Sequence, residues 1–296
     1  VGDLTEKQTE KGTYLFISKV VDGQAVEGLL PDIMQRIVSN LSFKKSMRWK
    51  DLDIRFARPV HWLVALYGGE VVPFSFGNLK TGNESRGHRF MAPGCFSVNS
   101  CSEYLNQCRA HHVIVDPQER KEIIASGIKG IAAEVGGTLN LDEELLDEVV
   151  NLVEYPVPLC GHFDEEFLEL PDELLITSMK EHQRYFTLAD KEGKLLPRFI
   201  TVSNIAATDP QVVVHGNERV LRARLADGMF FWHEDQKQKL ESRLESLKNV
   251  VYQQQLGTSY EKVQRFTALA RHLAQSLDPE NVKLTQRAAA LAKCDL

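Results

Sequence analysis

The groups in this chain best suited to chemistry are its clustered cations. Between Gly216 and Trp232 stand Arg219, Arg222 and Arg224, separated by valine, leucine and alanine. A guanidinium meets phosphate or carboxylate through a planar fork, and small neighbours leave room for that approach. At about 100° per helical residue, Arg219 and Arg222 lie about 60° apart, and Arg224 stands away from both. A second cluster, Arg86-Gly87-His88-Arg89-Phe90, sets two arginines beside an aromatic ring on an expected loop. A third, Lys180-Glu181-His182-Gln183-Arg184-Tyr185-Phe186, concentrates polar groups between a helix and a strand. Between Lys44 and Arg58, six basic residues face two acidic ones, with Trp49 and Phe56 among them. All four suit an anionic partner such as a nucleic acid. The alternative for each is structural: a helix face paired with Glu218 and Asp227, a turn whose cations satisfy carbonyls, or a histidine held by its own fold.

These clusters need a scaffold, and the apolar pattern supplies one. In Gly216–Trp232, Leu221, Leu225, Gly228 and Trp232 share one helical face, which is expected to be buried. Upstream, residues 12–21 read as a strand with Tyr14, Phe16 and Val20 on one parity. Pro31 is expected in the first turn of a helix carrying Leu30, Ile33, Met34, Ile37, Val38 and Leu41. Apolar runs on either side of Gly68-Gly69 predict a hairpin, with Pro59 at a strand start, bulge or edge. Short strands are expected at Cys95 to Val98 and Val113 to Val115, with a helix from Ser102 to Ala110 between them. Asp116-Pro117 caps a longer helix that stops at Gly136-Gly137. An acidic helix follows from about Asp142 to Val153. Pro171 opens another helix, and strands at Arg184 to Leu188 and Arg198 to Ser203 are joined by a turn at Asp190 to Lys194. Beyond residue 232 the pattern is helical, with a stripe at Leu240, Leu244, Leu247 and Val251. A capping box at Thr258 and Glu261 then opens a helix bearing Val263, Phe266, Leu269, Ala270 and Leu273, and a last helix runs from Thr285 to Leu296. The expected class is α+β: a mixed part over residues 1–232 and an all-helical part over 233–296.

Composition narrows the function classes. The 296 residues are 43% apolar, enough to bury a sizeable core. The net charge of -6 conceals segregation: from Asp142 to Glu173 there are twelve acidic residues and no Lys or Arg, so the rest carries 35 basic against 29 acidic. No run of about 18 apolar residues could form a membrane helix. The five cysteines form no C-x-x-C pair, so neither a disulfide framework nor a zinc knuckle is expected. There is no phosphate loop, no dinucleotide-binding glycine turn and no nucleophile elbow. His111-His112 cannot act as a zinc motif because adjacent side chains diverge. The chain opens on Val1 and stops at Leu296 inside an expected helix, which suggests a piece of a longer polypeptide.

Several collinear stretches resemble one family, the beta subunit of the bacterial heterotetrameric glycyl-tRNA synthetase. They are Met47-Arg48-Trp49, Arg58-Pro59-Val60-His61, Arg86-Gly87-His88-Arg89-Phe90, Met179-Lys180 with Gln183 and Tyr185-Phe186, Gly216-Asn217-Glu218 with Val220, Arg224-Leu225-Ala226-Asp227, Gln253 to Thr258, and Lys293-Cys294-Asp295-Leu296. The resemblance implies a ligase of two alpha and two beta subunits that attaches glycine to tRNA(Gly) with ATP. In that family the alpha subunit holds glycine and ATP, so no cofactor and no metal is expected on this chain, and no catalytic residue. A cytoplasmic location follows. The front region is similar to the editing-type domain of phenylalanyl-tRNA synthetase beta subunits, and residues 233–296 resemble the start of an HD-type helical domain.

On that resemblance, Arg86, Arg89, Lys180, Arg184, Arg219, Arg222 and Arg224 are the candidate tRNA-binding residues, because tRNA presents phosphates to neutralise and unpaired bases to stack. Arg224 and Asp227 could equally serve folding or assembly. Two other functions remain open: an editing hydrolase acting on mischarged tRNA, suggested by the junction at His182, and a pure subunit-association module.

Overall fold

The computed structural model describes residues 4–17, 21–139 and 141–296. The chain divides into two compact units that interleave along the sequence. One comprises Val1–Gly127, Leu146–Val157 and Val202–Thr208; the other comprises Ile128–Leu145, Pro158–Thr201 and Asp209–Leu296. Both mix helix and strand, so the chain is α+β.

The first unit begins with an antiparallel ribbon, Leu4–Thr9 against Gly12–Ile17; Val20 of the expected strand lies outside the described residues. Helix α1 spans Val26–Asn40 and carries Pro31 inside it. It starts earlier than the first-turn role of Pro31 predicts, and at that depth the proline forfeits one backbone bond to the preceding turn. The Gly68-Gly69 hairpin forms as expected, joining Leu66–Tyr67 to Glu70–Val71. Both glycines have positive φ, 59° and 90°, the conformation a two-residue turn of matching twist requires. Leu79–Gly82 pairs with both Leu63–Val64 and Ser75–Phe76, and Glu84–Arg86 pairs antiparallel with Cys95–Ser97.

Helix α2, Cys101–Ala110, is capped by Ser100, which accepts the Glu103 N–H. Helix α3, Pro117–Glu134, begins where the Asp116 carboxylate accepts the Gln118 N–H at 2.8 Å, as the Asp-Pro pair predicts. Residues 113–115, expected as a strand, form none. The Arg120 side chain donates to the carbonyls of Ile114, Val115 and Val150 at 2.6, 2.9 and 3.0 Å, which takes acceptors a ladder would need. Helix α4, Glu143–Val150, starts on Asp142, whose carboxylate accepts the Leu145 N–H.

The second unit is built on a four-stranded sheet ordered Thr138–Leu139, Phe186–Ala189, Leu195–Ser203, Val157–His162. Helix α5, Asp172–Thr177, runs into a π-helical turn, Ser178–Gln183, which ends on Arg184 in the left-handed region at φ 61°. Helix α6, Pro210–Gln236, is capped by Asp209 and has Pro210 in its first turn. Its inner face is the expected one: Leu221 and Leu225 are buried, and Trp232 and Met229 pack on a core of Phe163, Phe167, Leu170, Leu175, Met179, Tyr185 and Phe199. Gly228 lies on this face too, where a Cβ would make an ordinary contact with Leu174, at 3.4 Å.

The helix expected at Leu240 to Val251 does not form. Residues Leu240–Arg243 and Glu245–Asn249 make two 3₁₀ turns, and Val251–Gln253 pairs with Gly257–Thr258. The hydroxyls of Ser242 and Ser246 bond carbonyls three residues back, at 2.7 and 2.8 Å, which favours tight turns over an α-helix. Helix α7, Ser259–Leu277, opens with the predicted capping box of Thr258 and Glu261. Its buried line is Val263, Thr267 and Ala274, while Leu269 and Leu273, expected inward, are exposed. Helix α8 spans Val282–Leu291, earlier than expected, and Cys294 beyond it packs with Leu247 and Val263. Among the described residues no helix is long and apolar enough to cross a membrane.

Candidate nucleic-acid interface

The Arg86 to Phe90 loop is shaped by its two non-basic residues. Gly87 sits where a Cβ would meet the Ala92 carbonyl and the His111 Cβ, each at 2.7 Å, so only glycine fits. His88 is buried; its Nδ1 accepts the N–H groups of Phe90 and Met91, both at 3.3 Å, and its own N–H donates to the His111 carbonyl. Pinned in this way, the loop leaves Arg86, Arg89 and Phe90 exposed. Arg86 lies over the Trp62 ring, 5.8 Å from its centroid, a cation–π contact.

In the second unit the candidates separate into committed and free cations. Lys180 pairs with Asp142 at 2.5 Å; that bond holds the Lys180 ammonium above its usual range and the Asp142 carboxyl below its own. Arg184 folds back on the π-helical turn and donates to the carbonyls of Lys180 and Glu181, so it caps an element end. Both have clear structural work. His182 beside them is exposed and has no hydrogen-bond partner among the described residues, so no carboxylate orients its ring.

On α6, Arg222 makes a two-pronged contact with Asp164, Nε to Oδ2 at 3.0 Å and Nη2 to Oδ1 at 3.2 Å. Pairing within the helix, to Glu218 or Asp227, is not what forms. Glu218 is turned inward: its Oε1 accepts the His162 N–H at 3.0 Å and lies 2.6 Å from His162 Nδ1, with only 11% of the side chain exposed. Its neighbour Asn217 accepts from the Tyr185 hydroxyl at 2.7 Å and donates to the Val213 carbonyl. Burial pushes the Tyr185 hydroxyl up to about 12, with Arg224 pulling the other way. The Gly216-Asn217-Glu218 motif therefore ties α6 to the sheet and to residue 185.

That anchoring presents the opposite face to solvent. Arg219 and Arg224 are exposed and make no ion pair among the described residues. Arg219 shares its side of α6 with Ala223, Ala226 and Phe230 by helical spacing. Phe230 and Phe231 are 59% and 62% exposed, their rings edge to face at 5.4 Å. The Trp62–Arg86 stack and the His162–Glu218 pair were invisible to sequence reasoning, because their partners lie far apart along the chain. Only aromatic content near the basic residues hinted at the first. Among the described residues no group of His, Cys, Asp and Glu converges as a metal would require.

A family described as the glycyl-tRNA synthetase beta subunit matches residues 1–296. Among curated relatives, the glycine–tRNA ligase beta subunit of Syntrophotalea carbinolica is 62% identical over 296 residues. Those of Citrifermentans bemidjiense and Syntrophus aciditrophicus are 56% and 52% identical over the same length. In each case the match takes in 100% of this chain but 43% of the relative. By the extent of the family match and the level of identity, this chain belongs to the glycyl-tRNA synthetase beta subunit family.

Proposed function

We propose that this chain is the tRNA-binding and assembly portion of a glycine–tRNA ligase beta subunit, serving the ATP-dependent glycylation of tRNA(Gly) carried out on an alpha subunit. The observation that carries the binding half is the outer face of α6. There an unpaired Arg219 and an exposed pair of phenylalanines lie on a helix whose other face is fixed by burial and by Asn217 and Glu218. Cations without internal partners are free to replace counterions on phosphate, and exposed rings offer stacking surface to unpaired bases. In this reading Arg86, Arg89, Arg219 and Arg224 contact RNA, Arg222 is kept from it by its pair with Asp164, and Lys180 and Arg184 hold the fold beneath.

The reading extends to the whole polypeptide. Residues 1–232 are an editing-type domain and residues 233–296 the start of an HD-type domain. The partner is the alpha subunit of a two-alpha, two-beta assembly in the cytoplasm, and ATP is used on that partner. The chemistry assigned to this chain is positional: holding the tRNA end beside the partner's activated glycine makes the attack effectively intramolecular. The test is equilibrium binding of tRNA(Gly) by the full-length subunit across a salt series. A steep fall in affinity with salt is expected; absence of binding at low salt, with the alpha subunit present, overturns the reading.

A further inference from the structure

The first unit contains a cleft of about 420 Å³ whose walls include Trp62, Leu66 and Val98, with Ser85, Ser100 and Tyr104 supplying hydroxyls. Its volume lies within the range of small-molecule sites, roughly 300–1,000 Å³. Trp62 is 43% exposed. Arg86 sits over its ring, 5.8 Å from the centroid, and is not among the cleft's lining residues, whereas Trp62 is. Ser85, 3% exposed, lines the cleft together with Tyr104. No carboxylate and no ammonium lines the space among the described residues. A free amino acid would therefore bury its ammonium group without a counter-charge, at a cost of several kcal/mol in general. A neutral heteroaromatic ring meets no such penalty: it stacks on the indole, packs its edge on Leu66 and Val98, and finds hydroxyls for its polar atoms. A phosphate carried on the ribose of that base has the Arg86 guanidinium beside the same indole.

We propose that this cleft takes an unpaired nucleobase of the bound tRNA, stacked on Trp62 with its phosphate against Arg86. The proposal rests on the tRNA-binding reading and adds a base-specific contact to it.

The experiment uses the full-length subunit with its alpha partner and a tRNA(Gly) transcript. The tRNA-induced loss of tryptophan emission from the complex is expected to shrink when Trp62 is replaced in a Trp62→Phe protein that still binds tRNA, the difference being the Trp62 contribution. Trp62→Ala is expected to weaken binding on the order of tenfold, the scale of one lost base stack, with the salt slope unchanged because no charge is removed. Trp62→Phe is expected to retain most of the affinity, and Arg86→Ala to lower the slope by about one phosphate contact. Tryptophan quenching by tRNA that is identical in the unsubstituted and Trp62→Phe complexes, both still binding tRNA, overturns the cleft assignment and leaves the tRNA-binding reading standing. Failure of the unsubstituted protein to bind tRNA at low salt overturns both.

Discussion

Arg219 and Arg222 are three residues apart on one helix, yet they are expected to respond in opposite ways to the removal of charge around them. Arg219 has no ion-pair partner among the described residues, whereas Arg222 is clamped by Asp164 at 3.0 and 3.2 Å. Each phosphate neutralised contributes about 0.7 to the logarithmic salt slope for single-stranded RNA, and about 0.9 for a B-form duplex. Over a rise from roughly 50 to 200 mM salt, one contact therefore corresponds to about a threefold change in affinity. Arg219→Ala should lose that contact: its slope falls by about 0.7–0.9, and its deficit against the unsubstituted protein shrinks about threefold across the range. Asp164→Asn should do the reverse, freeing Arg222 and steepening the slope by about one contact. Removing both halves, Arg222→Ala with Asp164→Asn, should restore nearly the original slope, because a neutral pair is replaced by neutral groups. Exposed pairs of this kind contribute under about 1 kcal/mol to folding, so thermal melts should change by only a few degrees. Filter binding over a salt series, alongside those melts, reads every arm. An Arg219→Ala protein that still binds tRNA with the original slope, or an Asp164→Asn protein with a shallower one, would refute the reasoning.

Four further outcomes follow from the packing and from one ion pair. Gly161→Ala places a Cβ 2.4 Å from the fully buried Phe199 ring and should destabilise by about 1–3 kcal/mol in urea unfolding. Gly216→Ala meets nothing within 4 Å in mid-helix and should stabilise by about 0.5–1 kcal/mol in the same assay. Tyr185→Phe strips Asn217 of its donated hydroxyl and should cost about 1–3 kcal/mol, since a part-buried acceptor is left unpaired. The Asp142 carboxyl is held low chiefly by the hydrogen bond from Lys180, so its contribution is fully present above the unfolded value near pH 4 and is lost as pH falls through the lower folded one. Asp142→Asn should therefore trail the unsubstituted protein by a constant margin above about pH 5, and the two should converge in acid.

The elements most readable from sequence were those whose local signals agreed with their packing. The Gly68-Gly69 hairpin, the Asp116-Pro117 helix start, the Thr258–Glu261 capping box and the buried face of α6 are each governed by a few neighbouring residues. Where distant groups decided the outcome, the pattern misled. Arg120 takes the carbonyls of residues 114, 115 and 150 and prevents a strand. Serine hydroxyls tighten residues 240–249 into 3₁₀ turns despite a leucine stripe suited to an α-helix. The candidate site divides in the same way. Residue type and motif nominated seven cations, but Lys180, Arg184 and Arg222 prove to be engaged by Asp142, by backbone carbonyls and by Asp164. Those partners sit 38, 4 and 58 residues away along the chain, and only folding brings the distant ones near.

The central claim is that this chain holds RNA for a reaction whose bonds are made elsewhere. Its most direct test is a paired measurement on the reconstituted two-subunit enzyme carrying Arg86→Ala, Arg219→Ala and Arg224→Ala together: glycine-dependent ATP–pyrophosphate exchange without tRNA, and glycylation of tRNA(Gly). The account predicts unchanged exchange and a raised KM for tRNA in glycylation. Loss of exchange in a folded, assembled enzyme, with tRNA affinity intact, would contradict it.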